Sequence, residues 1–235
     1  LLEKGEVELY GLKRWNIERL RNIKHLLDDK RLTLIDCDIT DPISVRSLVN
    51  KVKPDQIYHL AAESFVSPSW LHPSHYMDVN FKGTVNFLDA IKEAGLKTRI
   101  LIPGSGEEHG EIYEHELPIT EDTVLRPVNP YAVSKIAQDL IGYVYFRSYG
   151  LNVIRTRAFN HEGPRRDYVF GVPWYAYQVA RMEAGKQNFS TGELLKISKI
   201  LNRKILSISE SMDFEIKGGK KLSGVASFRS IWAGS

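Results

Sequence analysis

Tyr131 and Lys135 form a pair of side chains that could perform acid–base chemistry. Only three residues separate them, and residues at positions i and i+4 lie on the same face of a helix. At that distance the positive charge of the lysine favours the phenolate, so the tyrosine can exchange a proton well below its ordinary pKa of about 10. The same spacing also occurs on solvated helix surfaces, so the pair alone leaves a surface role open.

A second candidate segment, Pro103–Gly110, reads Pro-Gly-Ser-Gly-Glu-Glu-His-Gly and directly follows a predicted strand. The carboxyl ends of strands are where ligands bind in open α/β sheets. Ser105 can hydrogen-bond a substrate hydroxyl, Glu107 can remove a proton from carbon, and the small neighbouring residues let the backbone approach a ligand closely. Taken alone, the segment would be a glycine-rich turn with solvated acids. Together with the tyrosine and lysine it favours a catalytic site.

The elements that must position these residues follow from the apolar pattern, which alternates between short β-type runs and longer helical stretches. This alternation is typical of an α/β protein with a parallel sheet. We predict strands at Glu6–Leu12, Leu32–Asp36, Gln56–Ala61, Arg99–Pro103 and Val153–Ala158. We predict helices at Ile43–Val52, Ser74–Ala94 and Pro130–Tyr149, the last two ending at Gly95 and Gly150.

The last third of the chain has a different pattern. Gln178–Ala184 is predicted to be the end of a further helix, and Glu193–Leu201 is amphipathic. Ser207–Ser235 is rich in Ser, Gly and Lys without a sustained period. We expect this tail to be weakly structured or to have its partners elsewhere.

Composition excludes several classes of protein. The 235 residues include 32 basic and 29 acidic residues, a net charge of +3 and a single cysteine. Cys37 has no second cysteine with which to form an intramolecular disulfide. No apolar run reaches the roughly 18 residues that a membrane span requires. The sequence also has no long basic run of the kind that would suggest nucleic-acid binding. The start of the chain is too short and too charged for a secretory signal, so we expect a cytoplasmic protein. The histidines lack metal-ligand spacing, and we assign no metal.

From Leu1 to about Gln187 the sequence resembles the extended short-chain dehydrogenases/reductases, and more closely the GDP-mannose 4,6-dehydratase family. The resemblance rests on four segments. Residues 38–41 read Asp-Ile-Thr-Asp, and residues 59–64 read His-Leu-Ala-Ala-Glu-Ser. Residues 126–131 read Arg-Pro-Val-Asn-Pro-Tyr and begin the Tyr-x-x-x-Lys that ends at residue 135, and residues 157–166 read Arg-Ala-Phe-Asn-His-Glu-Gly-Pro-Arg-Arg. Gly106 stands where the family usually has a serine, and His109 stands where it has an aromatic residue.

The resemblance implies a Rossmann-like, doubly wound parallel sheet. Residues 1–165 would form an NADP-binding domain and residues 166–235 part of a smaller substrate-binding domain. The family's first strand, with its G-x-x-G-x-x-G turn, and an internal stretch after Gln187 have no counterpart in this sequence. We therefore expect the Rossmann-like sheet to be incomplete, with an unpaired edge on the strands Glu6–Leu12 and Gln56–Ala61.

The resemblance also implies a reaction and the residues that perform it. Tyr131 would take the proton of the sugar 4-hydroxyl as hydride leaves C4, and Lys135 would hold the nicotinamide ribose and depress the pKa of the tyrosine. Glu107 would then remove the proton at C5, which the new 4-ketone makes acidic, while Ser105 helps the 6-hydroxyl leave as water. Return of the hydride to C6 gives a 4-keto-6-deoxy sugar, with the NADP restored to its oxidised form.

Cofactor-binding residues follow from the same resemblance. The first predicted strand is followed by Lys13 and Arg14, where an NAD-binding fold usually has an acid, and cations suit the 2′-phosphate of NADP. A solvated strand edge is the alternative for these two residues. The other cofactor candidates are Asp38, Ile39, Leu60, Ala61, Ala62, Tyr131, Lys135 and His161. Alternative roles are a turn cap for Asp38, core packing for 60–62 and a structural role for His161.

Substrate binding is assigned by resemblance to Glu63, Ser64, Asn160 and Arg165, the last two for the diphosphate of a GDP-sugar. Arg166 could equally be a surface charge. Alternative functions are a GDP-4-keto-6-deoxy-mannose reductase, another nucleotide-sugar epimerase or reductase, and a non-catalytic truncated remnant. The family also implies a homo-oligomer, either a dimer or a tetramer.

Overall fold

The computed structural model describes residues 1–3, 5, 7–15, 20–161, 163, 166–167, 169–183, 214–216 and 220–222. The chain divides into two compact units, Leu1–His161 and Glu162–Ser235.

The first unit is built from five parallel strands and the helices that connect them. The strands are β1 (Leu9–Lys13), β2 (Leu32–Asp36), β3 (Gln56–Tyr58), β4 (Arg99–Pro103) and β5 (Asn152–Thr156). The α-helices are α1 (Pro42–Val52), α2 (Pro73–Tyr76), α3 (Gly83–Glu93) and α4 (Pro130–Tyr149), and a π-helical segment, Met77–Lys82, joins α2 to α3. Short 3-10 helices lie at Arg21–Leu26, Ser67–Trp70, Gly106–Glu108 and Glu114–Glu116.

The strands form two sheets. β1 pairs with β2, with Lys13 opposite Asp36, and β4 pairs with β3 on one side and β5 on the other. Within the described residues, β1 and β3 therefore each have one strand neighbour and one edge without a strand. Buried side chains of α1, α3 and β4 nevertheless belong to one hydrophobic core, which includes Val45, Leu88, Ile91, Ile100 and Ile102.

Local sequence signals explain where the helices begin and end. Asp41 caps α1 by accepting a hydrogen bond from Ile43 N, and Pro42 occupies the first turn, where its missing N–H costs nothing. α4 ends at Gly150, whose φ of 69° is left-handed and suits glycine.

The structure confirms the predicted parallel α/β architecture and the bounds of β2, β4 and α4. Two predicted strands are too long at their carboxyl ends. β3 stops at Tyr58, because Leu60 N turns back to Tyr58 O at 2.9 Å, and β5 stops at Thr156. The first strand starts at Leu9, later than predicted. The predicted helix Ser74–Ala94 is interrupted by the π-helical segment.

The second unit contains α5 (Gly171–Glu183) and two short antiparallel strands, β6 (Phe214–Ile216) and β7 (Lys220–Leu222). Within the tail Ser207–Ser235, the described residues are thus these two strands, which pair with each other. The predicted amphipathic stretch Glu193–Leu201 lies outside the described residues.

No helix in the described part of the chain is long and apolar enough to span a bilayer.

Candidate active site

The start of α4 carries the predicted tyrosine and lysine. Asn129 begins the helix, because its Oδ1 accepts a hydrogen bond from Ala132 N at 2.8 Å, which satisfies a backbone N–H that has no partner within the helix. Tyr131 is 8% exposed and Lys135 4% exposed. The pair is therefore buried, and the alternative of a solvated surface pair is wrong.

Ser105 and Glu107 lie in the short helix that follows β4. Ser105 precedes this helix, and its Oγ accepts a hydrogen bond from Glu107 N at 3.2 Å. The Asn129 amide Nδ2 donates to Glu107 Oε2 at 3.0 Å. Asn129 thus connects the Glu107 carboxylate to the first turn of α4, two residues from Tyr131.

Two adjacent acids of this helix have different environments. Glu107 is half-buried, whereas Glu108 is fully buried, and its Oε1 accepts a hydrogen bond from Ser105 N at 2.7 Å. Burial raises the pKa of Glu108 to about 7, against the opposing effects of the Ser105 N–H and the positive charges of Arg157 and Lys135. Only Glu107 is accessible to a substrate.

The Lys135 ammonium lies at the carboxyl end of β4. Its Nζ donates to Pro103 O at 2.5 Å and to Gln138 Oε1. Burial lowers the pKa of Lys135 to about 8, although the negative charges of Glu108 and Asp139 oppose this effect. A lysine with this pKa is still mostly protonated at neutral pH, so its charge is available to a neighbouring phenol or a ligand.

A buried set of polar side chains lies beside Lys135. Gln138 Nε2 donates to Thr84 Oγ1 at 2.8 Å, and Thr84 Oγ1 donates to Asn80 O at 2.7 Å. His59 Nε2 is 3.0 Å from the same Thr84 oxygen. Since the hydroxyl proton is given to Asn80 O, the ring proton of His59 lies on Nε2. Burial, and secondarily the charge of Lys135, lowers the pKa of His59 to about 4, so the ring is neutral at pH 7.

Asn80, within the π-helical segment, connects the loop after β3 to α4. Its Oδ1 accepts from Glu63 N at 2.8 Å, and its Nδ2 donates to Glu63 O at 3.0 Å and to Ser134 Oγ at 2.9 Å. Ser134 Oγ in turn donates to Tyr131 O at 2.7 Å. Asn80 therefore fixes the backbone at Glu63, a predicted substrate-side residue, relative to the helix of Tyr131.

The residues predicted to hold the adenosine end of the cofactor differ in what surrounds them. Lys13 forms an ion pair with Asp36, whereas Arg14 is exposed. Asp38 accepts hydrogen bonds from Thr40 N and Oγ1 at 2.9 and 2.8 Å. These are the contacts expected if Asp38 caps the turn that follows it, which is the alternative to a cofactor contact. Ile39 is buried in the core.

The strand-end residues 60–62 do not pack as core. Leu60 is 72% exposed, Ala61 is exposed and Ala62 is half-buried, so the core alternative is wrong for the first two. The chain turns at Leu60 and leaves this apolar side chain uncovered at the carboxyl end of β3.

Of the remaining predicted ligand residues, Ser64 lies in the loop after β3, and Asn160 and His161 lie at the end of the first unit. Ser64, Asn160 and His161 are exposed, and His161 Nδ1 donates to Phe159 O at 2.9 Å. Arg165 lies outside the described residues. The guanidinium of Arg166 lies 3.7 Å from the centre of the Phe170 ring. Among the residues that the structure describes, no three potential ligands from His, Cys, Asp and Glu are grouped as a metal site.

Sequence reasoning missed the residues that support the pair on α4: Asn80, Thr84, Glu108, Asn129 and Gln138. Two signals were available. Asn129-Pro130 is a helix start, and Gln138 follows Lys135 by three residues on one helical face. The sequence holds no comparable signal for Asn80 and Thr84, whose contacts are made across the fold.

Comparison with known proteins identifies the family. The family model described as "GDP-mannose 4,6 dehydratase" matches residues 1–202. A GDP-mannose 4,6-dehydratase of Sordaria araneosa is 34% identical over 83% of this chain and 36% of its own length. A GDP-6-deoxy-D-mannose reductase of Pseudomonas aeruginosa is 35% identical over 64% of this chain and 49% of its own length. This chain thus spans half or less of those relatives.

Solved structures show the same fold. The structure of RMD from Pseudomonas aeruginosa complexed with NADPH has a TM-score of 0.64 and 29% identity, covering 77% of this chain and 62% of that one. DesIV, a dTDP-glucose 4,6-dehydratase from Streptomyces venezuelae with NAD and TYD bound, has a TM-score of 0.67 and 30% identity, covering 78% and 55%. The predicted Rossmann-like fold and the predicted family resemblance are confirmed.

Proposed function

Because this chain belongs to the GDP-mannose 4,6-dehydratase family, we propose that it carries the catalytic residues of a dehydratase that converts GDP-mannose to GDP-4-keto-6-deoxy-mannose. One observation carries the proposal. Asn129 joins the Glu107 carboxylate to the first turn of the helix that bears Tyr131 and Lys135. The reaction needs a group that exchanges the hydroxyl proton and a separate base for a carbon-bound proton, and this contact links the proposed base to the helix that bears the proposed proton acceptor.

A nicotinamide cofactor fits the residues at the carboxyl ends of β3 and β4. The Lys135 ammonium has three N–H bonds, and two of them are directed to Pro103 O and Gln138 Oε1, which leaves one for a ribose hydroxyl. The uncovered Leu60 side chain offers an apolar surface for a ring. The bound nicotinamide would supply an acceptor and later a donor of hydride.

Protons would be moved by this chain's own side chains. Tyr131 accepts the proton of the sugar 4-hydroxyl, and the charge of Lys135 stabilises the phenolate that accepts it. Glu107 removes the C5 proton next to the 4-ketone and can return it to the departing 6-oxygen, so water leaves without net proton uptake. Ser105 hydrogen-bonds that oxygen as it leaves. Glu63, Ser64, Asn160 and Arg165 are the proposed contacts of the GDP-sugar.

NADP is the proposed cofactor, with Arg14 as the main contact of its 2′-phosphate. Arg14 is exposed at the end of β1, whereas the charge of Lys13 is already paired with Asp36. The structural relative in complex with NADPH supports this choice. The relative with NAD bound shows that the fold accepts both dinucleotides.

Incubation of the chain with NADP and GDP-mannose, followed by NMR of the sugar, tests the proposal. The expected product has a 4-ketone and a 6-methyl group. Turnover of a different nucleotide sugar, with none of GDP-mannose, would overturn the substrate assignment. A thermal-shift titration with NADP is the companion measurement, because a bound ligand stabilises the fold in proportion to the logarithm of its excess. No shift at millimolar NADP would favour a non-catalytic remnant.

A GDP-4-keto-6-deoxy-mannose reductase is the second candidate, favoured by the 35% identity to the Pseudomonas aeruginosa reductase. Reduction needs the tyrosine and lysine but no base for the C5 proton. Glu107→Gln preserves the shape of the side chain and therefore separates the two reactions. Dehydration should fall by at least about 100-fold, whereas ketone reduction should persist.

We also propose that the active form is a homodimer, with α4 in the interface. Val133, Leu140 and Val144 are exposed and lie on one face of this helix. Next to Val133, a cavity of about 310 Å³ is lined by Trp70 and Met77, among other mostly apolar residues. Exposed apolar surface of this kind marks interaction sites. Sedimentation equilibrium of the chain and of Leu140→Glu tests the proposal, and a wild-type monomer would overturn it.

A further inference from the structure

Gln138 is fully buried one helical turn after Lys135 and contacts its ammonium. A buried amide has to satisfy both its oxygen and its nitrogen, since an unpaired polar group away from water costs free energy. The oxygen of Gln138 accepts from Lys135 Nζ, and the nitrogen donates to Thr84 Oγ1 at 2.8 Å. The orientation of the amide is thereby fixed from both ends.

Thr84 holds Gln138 in turn. Its hydroxyl donates to Asn80 O at 2.7 Å and lies 3.0 Å from His59 Nε2. With its single proton committed to Asn80 O, the Thr84 oxygen can only accept from Gln138 and His59. This allows one arrangement of protons, in which the Gln138 oxygen faces Lys135.

We propose that Gln138 is a positioning residue for Lys135, which holds the ammonium at the carboxyl end of β4 and keeps it charged. The importance of this contact for catalysis rests on the proposed function. A neutral amide stabilises the charged lysine without cancelling its charge. A carboxylate at this position would stabilise the ammonium more strongly but would weaken its field at Tyr131.

Charged and titratable groups around Lys135 come from several elements. Glu108, in the helix after β4, and Asp139, on α4, raise its pKa, and burial lowers it further than they raise it. Both carboxylates also contact Arg157, which follows β5. His59, after β3, is neutral at pH 7. The π-helical segment and α3 contribute Asn80 and Thr84 to the hydrogen bonds around Gln138, and both of these side chains are uncharged.

The experiment measures the pKa of Lys135 directly. The full chain is labelled with lysine carrying ¹³C at Cε, and the Lys135 resonance is assigned by its loss in Lys135→Arg. Its titration is then followed in wild type, Gln138→Met and Gln138→Glu. The matched control is Gln56→Met, which replaces an exposed glutamine on β3.

The wild-type midpoint is expected at about 8. Gln138→Met removes a hydrogen bond to the charged form and should lower the pKa of Lys135 by about 1. Gln138→Glu supplies a negative partner and should raise it by about 1, and Gln56→Met should leave it unchanged. The glutamate variant has the shape of the native side chain, so it decides the question alone if the methionine variant does not fold.

Equal midpoints in wild type and Gln138→Glu would overturn the inference, whether or not NADP binds. Adding NADP to the labelled wild-type chain tests the proposed function separately. If the Lys135 resonance does not respond to NADP but its midpoint moves in the Gln138 variants, the cofactor role of Lys135 fails and the positioning contact stands.

Discussion

Asn129 donates a hydrogen bond from its amide nitrogen to the carboxylate of Glu107 at 3.0 Å, while its oxygen caps the helix that carries Tyr131. One side chain thus starts α4 and holds the proposed base.

Replacing Asn129 should separate these two roles. Asn129→Ala removes both and is expected to lower the free energy of unfolding by about 1 kcal/mol. Asn129→Ser keeps a good capping oxygen, so stability should return to near the wild-type value, while Glu107 still lacks its amide donor. We expect dehydration to fall by about 100-fold in both variants. Urea unfolding and turnover measure the two effects, and full activity in the serine variant would contradict the positioning of Glu107.

Glu108→Gln should change how stability depends on pH. The pKa of Glu108 is about 7 in the fold and 4.5 without its environment. Between these values the folded chain keeps a proton that the unfolded chain has lost, so the free energy of unfolding decreases as the pH rises, by about 3 kcal/mol in all. The glutamine variant lacks this decrease but can still accept from Ser105 N. Unfolding at pH 5, 6 and 7 tests this, and parallel curves would refute it.

His59→Asn should have the opposite effect. The pKa of His59 is about 4 in the fold against 6.5. In this window the unfolded chain binds a proton that the folded chain does not, so stability increases as the pH rises, by about 3 kcal/mol in all. The variant should lose that increase, whereas His25→Asn, at an exposed position, should retain it. Denaturant titrations from pH 4 to 7 provide the comparison, and the same slope in both variants would count against a buried neutral His59.

Two glycines of the segment after β4 should tolerate side chains differently. A Cβ on Gly104 would lie 2.4 Å from the backbone oxygen of Thr156, whereas one on Gly106 would meet the Phe159 ring at 3.0 Å. Backbone cannot move as easily as a ring. Gly104→Ala is therefore expected to lower the free energy of unfolding by at least about 2 kcal/mol and to displace Ser105. Gly106→Ser introduces the residue that the family usually has there, and it is expected to lower the free energy of unfolding by less than about 1 kcal/mol. Thermal unfolding of both variants decides between these outcomes.

Arg14→Ala should lower the preference for NADP. The loss of a charge-assisted contact to the 2′-phosphate is expected to weaken NADP binding by about 10-fold or more while leaving NAD binding unchanged. Lys13→Ala should have a smaller effect, because Lys13 is already paired with Asp36. Calorimetry with both dinucleotides measures the ratio. A larger effect at Lys13 than at Arg14 would reverse the assignment.

Local signals allowed the fold to be predicted where they were complete. The bounds of α4 follow from Asn129-Pro130 at its start and Gly150 at its end, and β2 and β4 follow from short, mostly apolar runs. The early end of β3 depends on the turn at Leu60. The π-helical segment contains Asn80, whose contacts with Glu63 and Ser134 are made between residues distant in sequence. Neither leaves a periodic trace in the sequence.

The candidate site shows the same division. The spacing of Tyr131 and Lys135 placed them on one helical face, and the choice between a surface pair and a catalytic pair required the segment after β4 and the family resemblance. Adjacent Glu107 and Glu108 carry the same chemical group, and the family resemblance alone singled out Glu107 in the sequence. In the structure Glu108 is fully buried, which leaves Glu107 as the one of the two that a substrate can reach. Lys13 looks like a free cation until the register of β1 against β2 places Asp36 opposite it.

The π-helical segment Met77–Lys82 accommodates one more residue than an α-helix in the same turn. That residue rotates every later side chain of the helix by about 100° about the axis, including Thr84, which holds Gln138. Regular α-helical winding of the same sequence would therefore turn Thr84 away from its partners, whereas deleting one residue of the segment would cancel that rotation and leave Thr84 facing Gln138. The support of Lys135 thus depends on a single extra residue being absorbed within this one turn.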